Sequence, residues 1–411
     1  MVLAPAHRLD KEVGATRSAS SLARGILLLS IGLFWMALYL YVPILSPYVV
    51  RQGGSLELVG AVVAAYGVPQ LLCRIPLGVW SDALGWRKPF LVGGFAAAAL
   101  SAAGMWLWPW PAALVGWRLV AGLAASMWAM FSVAVAAYYP PDRGLYAMSL
   151  VSFANQAGQV LASYGGGWLA QHAGWGAPFA VAAGVAALGG GLVLTVPENR
   201  RPPKMPAGSS PVTLLRSRAT LRVASGLGIL AQVITFVTTF GYVPIVGSRL
   251  GLDRADLGLL LLVGVVPTAV ASLLTGTVRG MRLAEVQLAA VGFALAAGAA
   301  ALTPLCRAAL PLFAAQAFMG IGRGILSPTL MALAIRGADP AERGTALATY
   351  QATYALGMVG GPALAGWIVA HFGLQAAFWL AAGAGLIGLA TAVAARLPGP
   401  ARAAARTLSP R

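Results

Sequence analysis

Gly78-Val79-Trp80-Ser81-Asp82-Ala83-Leu84-Gly85-Trp86-Arg87-Lys88-Pro89 joins one long apolar run to the next. Two glycines, a carboxylate and an Arg-Lys pair crowd a short hairpin. The runs on either side are about 20 residues each, enough to carry an α-helix across a ~30 Å hydrocarbon core. A hairpin between two such runs lies at a membrane surface, a costly place for charge that has no use there.

The rest of the chain has the same character. Of 411 residues, 59% are hydrophobic and only 9% charged, whereas a soluble domain carries about 25% charged residues. The runs are continuous in Leu, Ala, Val and Gly, without the alternation of a membrane β-barrel. Helical spans are predicted near 25–46, 56–80, 89–108, 112–138, 145–170, 176–196, 221–247, 256–278, 284–303, 308–335, 344–370 and 374–396. The expected fold is thus an all-α membrane protein of 12 transmembrane helices. Residues 1–24 read as a polar tail, and the run 25–46 is too long for a cleaved leader. Cys73 and Cys306 lie far apart and define neither a disulfide framework nor a metal site. No Gly-x4-Gly-Lys-Ser/Thr loop and no catalytic His/Cys/Asp cluster occurs. Neither ATP drive, enzyme activity nor a cofactor is expected.

An even number of spans puts both termini on one side. That side carries 21 of the 28 Lys and Arg, and the other only Arg51, Arg249, Arg254 and Arg307. By the positive-inside rule both termini are cytoplasmic, in a multi-pass protein of the cell membrane. The same bias accounts for the +17 net charge. The cations sit in short loops facing anionic lipid and form no nucleic-acid platform. A linker rich in Pro, Gly and Ser over 197–220 separates a six-helix bundle at 25–196 from a second at 221–396, and 397–411 forms a C-terminal tail.

The two bundles are repeats. Gly158, Gly167, Trp168, His172 and Gly174 recur as Gly357, Gly366, Trp367, His371 and Gly373, at a constant offset of 199. Asp142-Arg143-Gly144 recurs as Glu342-Arg343-Gly344, Gly78 pairs with Gly276, and Gly122 pairs with Gly320. Parallel halves of this kind close around a midplane cavity, and rocking exposes it to either side.

With these residues in view, the chain resembles the major facilitator superfamily of secondary transporters, over essentially its whole length. Gly78, Asp82, Gly85, Arg87 and Lys88 match the family's loop signature between spans 2 and 3. Arg118 and Gly122 keep part of the signature of span 4, with Ala121 in place of Gln. The span-5 signature of antiporters has lost its Gly-Pro at Ala162-Ser163. Its span-11 copy keeps Gly357, Gly361, Pro362 and Gly366, while Gly158, Gly166 and Gly167 remain in the first copy. These glycines form the expected helix-packing motif. The match is to the 12-helix, drug/proton-antiporter-like group.

The resemblance implies that Asp82 and Arg87 belong to a cytoplasmic gate, the carboxylate contacting the N-terminus of span 11. Asp339-Pro340-Ala341-Glu342 reads as a capping box for that helix. Gly280 stands where Asp82 stands in the first half, so the gate is asymmetric. Arg118 and Arg323 are intramembrane cations, each costing ~2.5–3.5 kcal/mol at a helix centre, and are expected to face a cavity or a partner. The repeat sets Gln316 against Arg118. Arg74 is read as a gate or snorkelling residue. The family's cavity is lined by spans 1, 4, 7 and 10. Here that nominates Trp35, Tyr39, Trp117, Phe236, Gln232, Thr235, Thr239 and Gln316 beside Arg118, with Gln70, Asn155, Gln159, Gln351 and Tyr354 adjacent. No Asp or Glu lies deep in any span. That argues against a strongly cationic substrate and leaves Asp82, Glu57, His172 and His371, the histidines in outer loops, as titrating candidates. The expected function is alternating-access export of a small organic or amphipathic compound by a monomer, with a proton as candidate coupling ion. An importer or exchanger of organic anions using Arg118 and Arg323 is the alternative. A non-transporting membrane sensor on the same scaffold is a third reading.

Overall fold

A computed structural model describes residues 6–139, 143–197, 210–278, 285–339 and 342–395. The calls on Asp142, Gly280, Pro340, Ala341, most of the linker and the C-terminal tail lie outside these residues, as does the side chain of Asp82. The first half contains α1 (Ala6–Tyr39), α2 (Val42–Arg51), α3 (Leu56–Ala65), α4 (Gly67–Leu84), α5 (Lys88–Leu107), α6 (Pro111–Ser126), α7 (Trp128–Ala136), α8 (Gly144–Ala173) and α9 (Ala177–Thr195). A short α10 (Pro211–Ser217) follows. The second half contains α11 (Ala219–Val237), a π-helical turn (Thr238–Tyr242), α12 (Val243–Arg249), α13 (Arg254–Val278), α14 (Glu285–Leu302), α15 (Ala309–Ile335), α16 (Arg343–Phe372) and α17 (Leu374–Ala394). Among the described residues, 11 helical segments are long and apolar enough to cross a membrane. The 30-residue α8 is not one of them by that measure, but it takes the fifth position of the first half. The protein is a multi-pass, all-helical membrane protein of two pseudo-symmetric bundles.

One expectation is corrected here. α1 already runs from Ala6, ahead of the apolar run. Several spans predicted as continuous helices are broken. The first breaks after Tyr39, the second at Tyr66 and the seventh at Thr238–Tyr242. Each break lies ahead of a proline, Pro43, Pro69 or Pro244. Proline donates no N–H and its ring clashes with the carbonyl four residues back, at Tyr39, Ala65 and Phe240 respectively. The fourth span breaks at Met127 without a proline, beside Ser126, whose hydroxyl donates to the Gly122 carbonyl at 2.9 Å. The π turn of the seventh span and these breaks give the backbone an irregular course of the kind often found at functional sites.

The repeat reappears in the packing. A Cβ on Gly158 would stand 2.2 Å from the Gly32 carbonyl of α1, and one on its counterpart Gly357 would stand 2.1 Å from the Ile229 carbonyl of α11. Gly189 lies against the ring of Phe95, and Gly388 lies in the same way against Phe293. Such contacts let helices approach closely, which stabilises association where lipid offers no hydrophobic drive.

The halves seal together at the end of the bundle away from the chain termini. Gly60 of α3 meets the Pro362 carbonyl and Gly366 of α16, while Gly167 of α8 meets the Arg254 carbonyl and Gly258 of α13. The Tyr242 hydroxyl donates to the Leu56 carbonyl at 3.0 Å, and the Ser46 hydroxyl to the Phe240 carbonyl at 3.3 Å. Arg254 donates to the Gln171 side chain at 3.0 Å and lies over the Trp175 ring, where Arg51 also lies, each guanidinium 5.3 Å from the ring centre.

Candidate functional site

The helix breaks bring an aromatic cluster to the interface of the halves. Trp35 packs edge-on against Trp128 at 5.2 Å and Tyr39 at 5.8 Å. Tyr39 in turn meets Phe240 of the second half at 5.8 Å, and Tyr66 stacks on Phe236 at 6.2 Å. Phe236 and Phe240 touch each other at 5.1 Å. The rings of spans 1, 2, 4 and 7 therefore form one continuous wall across both halves.

Three arginines are set into that wall. Arg118, only 4% exposed, lies over Tyr66 at 4.4 Å and over Tyr41 at 5.9 Å. Arg323 lies over Phe240 at 5.3 Å. It sits between Gly322 and Gly324, where a Cβ would meet the Gly292 carbonyl at 2.8 Å and the Thr268 carbonyl at 2.4 Å. The flanking glycines thus let α15 approach α14 and α13 closely while Arg323 points elsewhere. Arg74, 6% exposed, donates to Gln70 Oε1 at 2.6 Å and, across the half boundary, to the Tyr354 hydroxyl at 3.2 Å. Of the two readings of Arg74, gate or snorkelling residue, its burial and its bond to Tyr354 exclude snorkelling. It is a buried link between α4 and α16.

These guanidiniums are only partly satisfied. Among the described residues, Arg118 Nε and Nη1, Arg74 Nε and Arg323 Nη1 find no hydrogen-bond partner, and neither do Trp35 Nε1 and Gln316 Nε2. All are donors. A cation–π contact is worth up to ~2 kcal/mol when desolvated. Burying an ion costs several kcal/mol even after relaxation, so ring contacts alone do not offset the burial. Gln316, 1% exposed, and Thr239, 3% exposed, also line a small cavity of about 10 Å³ beside Pro43 and Pro244.

Other predicted lining residues are placed differently. The Trp117 ring fills the space over Gly104 and stacks on Trp108 at 6.1 Å, so it belongs to the α5–α6 contact. Thr235 is buried and spends its hydroxyl proton on the Ala231 carbonyl at 2.9 Å. Half-buried Gln232 packs near Gly357 of α16. Gln159 and Asn155 hydrogen-bond to each other along α8. Sequence reading missed Tyr66, Phe240, Tyr41 and Trp128. For the first two the signal was present, because each lies three or four residues before a proline.

At the end bearing the termini, Gly85 takes φ +64°, the left-handed turn that favours glycine. Gly78 has open space where a side chain would be. Lys88 donates to the Leu194 carbonyl at 2.6 Å and the Val196 carbonyl at 2.9 Å, so it caps the end of α9 within its own half. Glu342 is the N-cap residue of α16, and its carboxylate pairs with Arg218. His172 and His371, expected in loops, lie in the last turns of α8 and α16. Each stacks on the tryptophan four residues before it, at 4.5 and 4.6 Å.

Two helical halves meeting at a polar, aromatic interface define the two-bundle architecture of a membrane transporter. The chain belongs to the Major Facilitator Superfamily, whose sequence profile matches residues 27–305 and, a second time, residues 226–410. Inner membrane transport protein YajR of Escherichia coli (strain K12) is 38% identical over 65 residues, which is 16% of this chain and 14% of that protein. The crystal structure of a mutant of nucleoside transporter NupG superposes with a TM-score of 0.74 at 15% identity, covering 90% of this chain and 99% of that one. The human organic anion transporter MFSD10 (TETRAN) gives 0.65 at 20% identity, covering 91% and 99%. At these identities the structures show a shared fold.

Proposed function

We propose that this transporter carries small organic anions with an apolar or aromatic body by alternating access. The observation that carries this reading is the set of buried, unsatisfied guanidinium donors in an aromatic wall, in spans that contain no deep carboxylate. An anion satisfies those donors and its apolar body fits the rings. An uncharged compound leaves the charge unmet, and a cation adds to it. With both termini cytoplasmic, as the distribution of Lys and Arg supports, the sealed end faces outward and the form described above is closed to the exterior.

The test compares two ligands of similar shape and opposite charge, 2-naphthalenesulfonate and 2-naphthylmethylammonium. The sulfonate is expected to raise the melting temperature of the purified protein and to be taken up by proteoliposomes, and the ammonium to do neither. Stabilisation by the cation alone would end the anion reading. The gate is tested separately. Asp82→Asn is expected to insert and fold normally but to slow flux at least tenfold, since the neutral amide loses the charge–dipole contact proposed with span 11. Unchanged flux removes Asp82 from the gate.

A further inference from the structure

Two neighbouring hydroxyls of the seventh span are satisfied by their own backbone. Thr235 and Thr238 donate to the carbonyls four residues back, Ala231 at 2.9 Å and Ile234 at 2.7 Å. Thr239, 3% exposed, makes no such bond, and its hydroxyl finds no partner among the described residues. It stands in the π turn Thr238–Tyr242, where the wider coil carries the carbonyl four residues back out of line. On α15, Gln316, 1% exposed, has an amide Nε2 that is likewise unpaired among those residues. A buried donor without an acceptor forfeits the hydrogen bond it makes with water in the unfolded chain, so folded proteins leave few of them.

Both groups border the same cavity of about 10 Å³, whose other walls are Pro43, Val243, Pro244, Leu257, Leu260 and Leu261. That is close to the space one water molecule needs. An apolar guest leaves both donors unmet. An ion would lose its hydration shell among prolines and leucines with no charge in the walls to replace it. A water accepts from both donors at once, and two polar partners suffice to hold one in a protein interior. We propose that one ordered water occupies this cavity, accepts from Thr239 Oγ1 and Gln316 Nε2, and pins the π turn to α15. The π turn carries two of the bonds that join the halves: the Tyr242 hydroxyl donates to the Leu56 carbonyl, and the Phe240 carbonyl accepts from Ser46. The water thus steadies the segment from which the sealed end is built. Gln316 serves the break in the seventh span by this route, and the inference holds whatever the cargo.

A high-resolution crystal structure of the wild-type protein tests the site directly. A density peak is expected within about 2.7–3.1 Å of both Thr239 Oγ1 and Gln316 Nε2. A dry cavity, or direct pairing of the two side chains, overturns the proposal. The pin is tested in solution with Cys73 and Cys306 replaced and Ser46→Cys, buried at the seal in every variant compared, as a target for an impermeant maleimide. Thr239→Val, which removes the hydroxyl at similar volume, is expected to raise the labelling rate about fivefold, the scale of one net hydrogen bond. Gln316→Met is expected to do the same. Both act through one water, so the double variant is expected to label no faster than the faster single. Thr239→Ser keeps the hydroxyl and is expected to keep the parent rate. Rate increases that multiply in the double variant show that the two residues share no water and overturn the proposal. A density peak with unchanged labelling in both single variants overturns the pin.

Discussion

Arg118→Ala is expected to weaken binding of 2-naphthalenesulfonate by roughly 30- to 1000-fold, the range for removing one partner of a buried charge pair. The guanidinium is 4% exposed, is held over Tyr66, and has two nitrogens without a protein acceptor. The variant loses those donors and the planar group that stacks on the ring. Arg118→Lys is expected to recover only a small part of the affinity, because an ammonium on a flexible stem neither stacks nor offers a fork of donors. Melting temperature without ligand is expected to hold or rise, since truncation removes an uncompensated buried charge. Titration of the stabilising effect of the sulfonate in wild type and both variants checks this, and equal midpoints would remove Arg118 from the site.

Adjacent glycines in α8 are expected to give opposite phenotypes. A Cβ on Gly166 would stand 1.6 Å from the Leu40 carbonyl, inside the first half. Backbone cannot yield there without separating α8 from the first span. Gly166→Ala is therefore expected to cost more than about 4 kcal/mol, a size reserved for severe packing faults, and to abolish recovery of folded protein. A Cβ on Gly167 would stand 2.3 Å from the Arg254 carbonyl, across the boundary between the halves. The halves are able to part without either unfolding. Gly167→Ala is expected to fold and to open the sealed end. Ser46, 1% exposed and bonded to Phe240, reports on that seal. With Cys73 and Cys306 replaced, a Ser46→Cys probe is expected to react with an impermeant maleimide about tenfold faster in the Gly167 variant, which corresponds to ~1.4 kcal/mol of shifted equilibrium. Equal labelling rates would show that Gly167 does not hold the seal.

Much of this architecture was legible in the chain. The loop Gly78–Lys88, the apolar runs and the matched landmarks at offset 199 lead to twelve spans in two repeats, because each depends on local composition or spacing. Arg118 and Arg323 were also recognisable, since a cation in an apolar run must be accommodated. Arg74 was read as a gate or snorkelling residue. Its position two turns from the hairpin allows a snorkelling rotamer, and only its burial and its bond to Tyr354 of the other half exclude that one. Lys88 is a similar case, because the carbonyls it caps lie over 100 residues away.

The sequence by itself determined that the chain crosses a membrane many times, that its halves repeat, and that its interior carries positive charge without acids. Those properties follow from hydropathy, period and residue type, which are local. Tertiary structure alone decided which rings meet which guanidiniums, which end is sealed, and which glycines bind a half together and which join the two halves. These depend on how kinked helices from distant segments lie against one another, and the close approach of two helices leaves no trace of its partner in the order of residues along either.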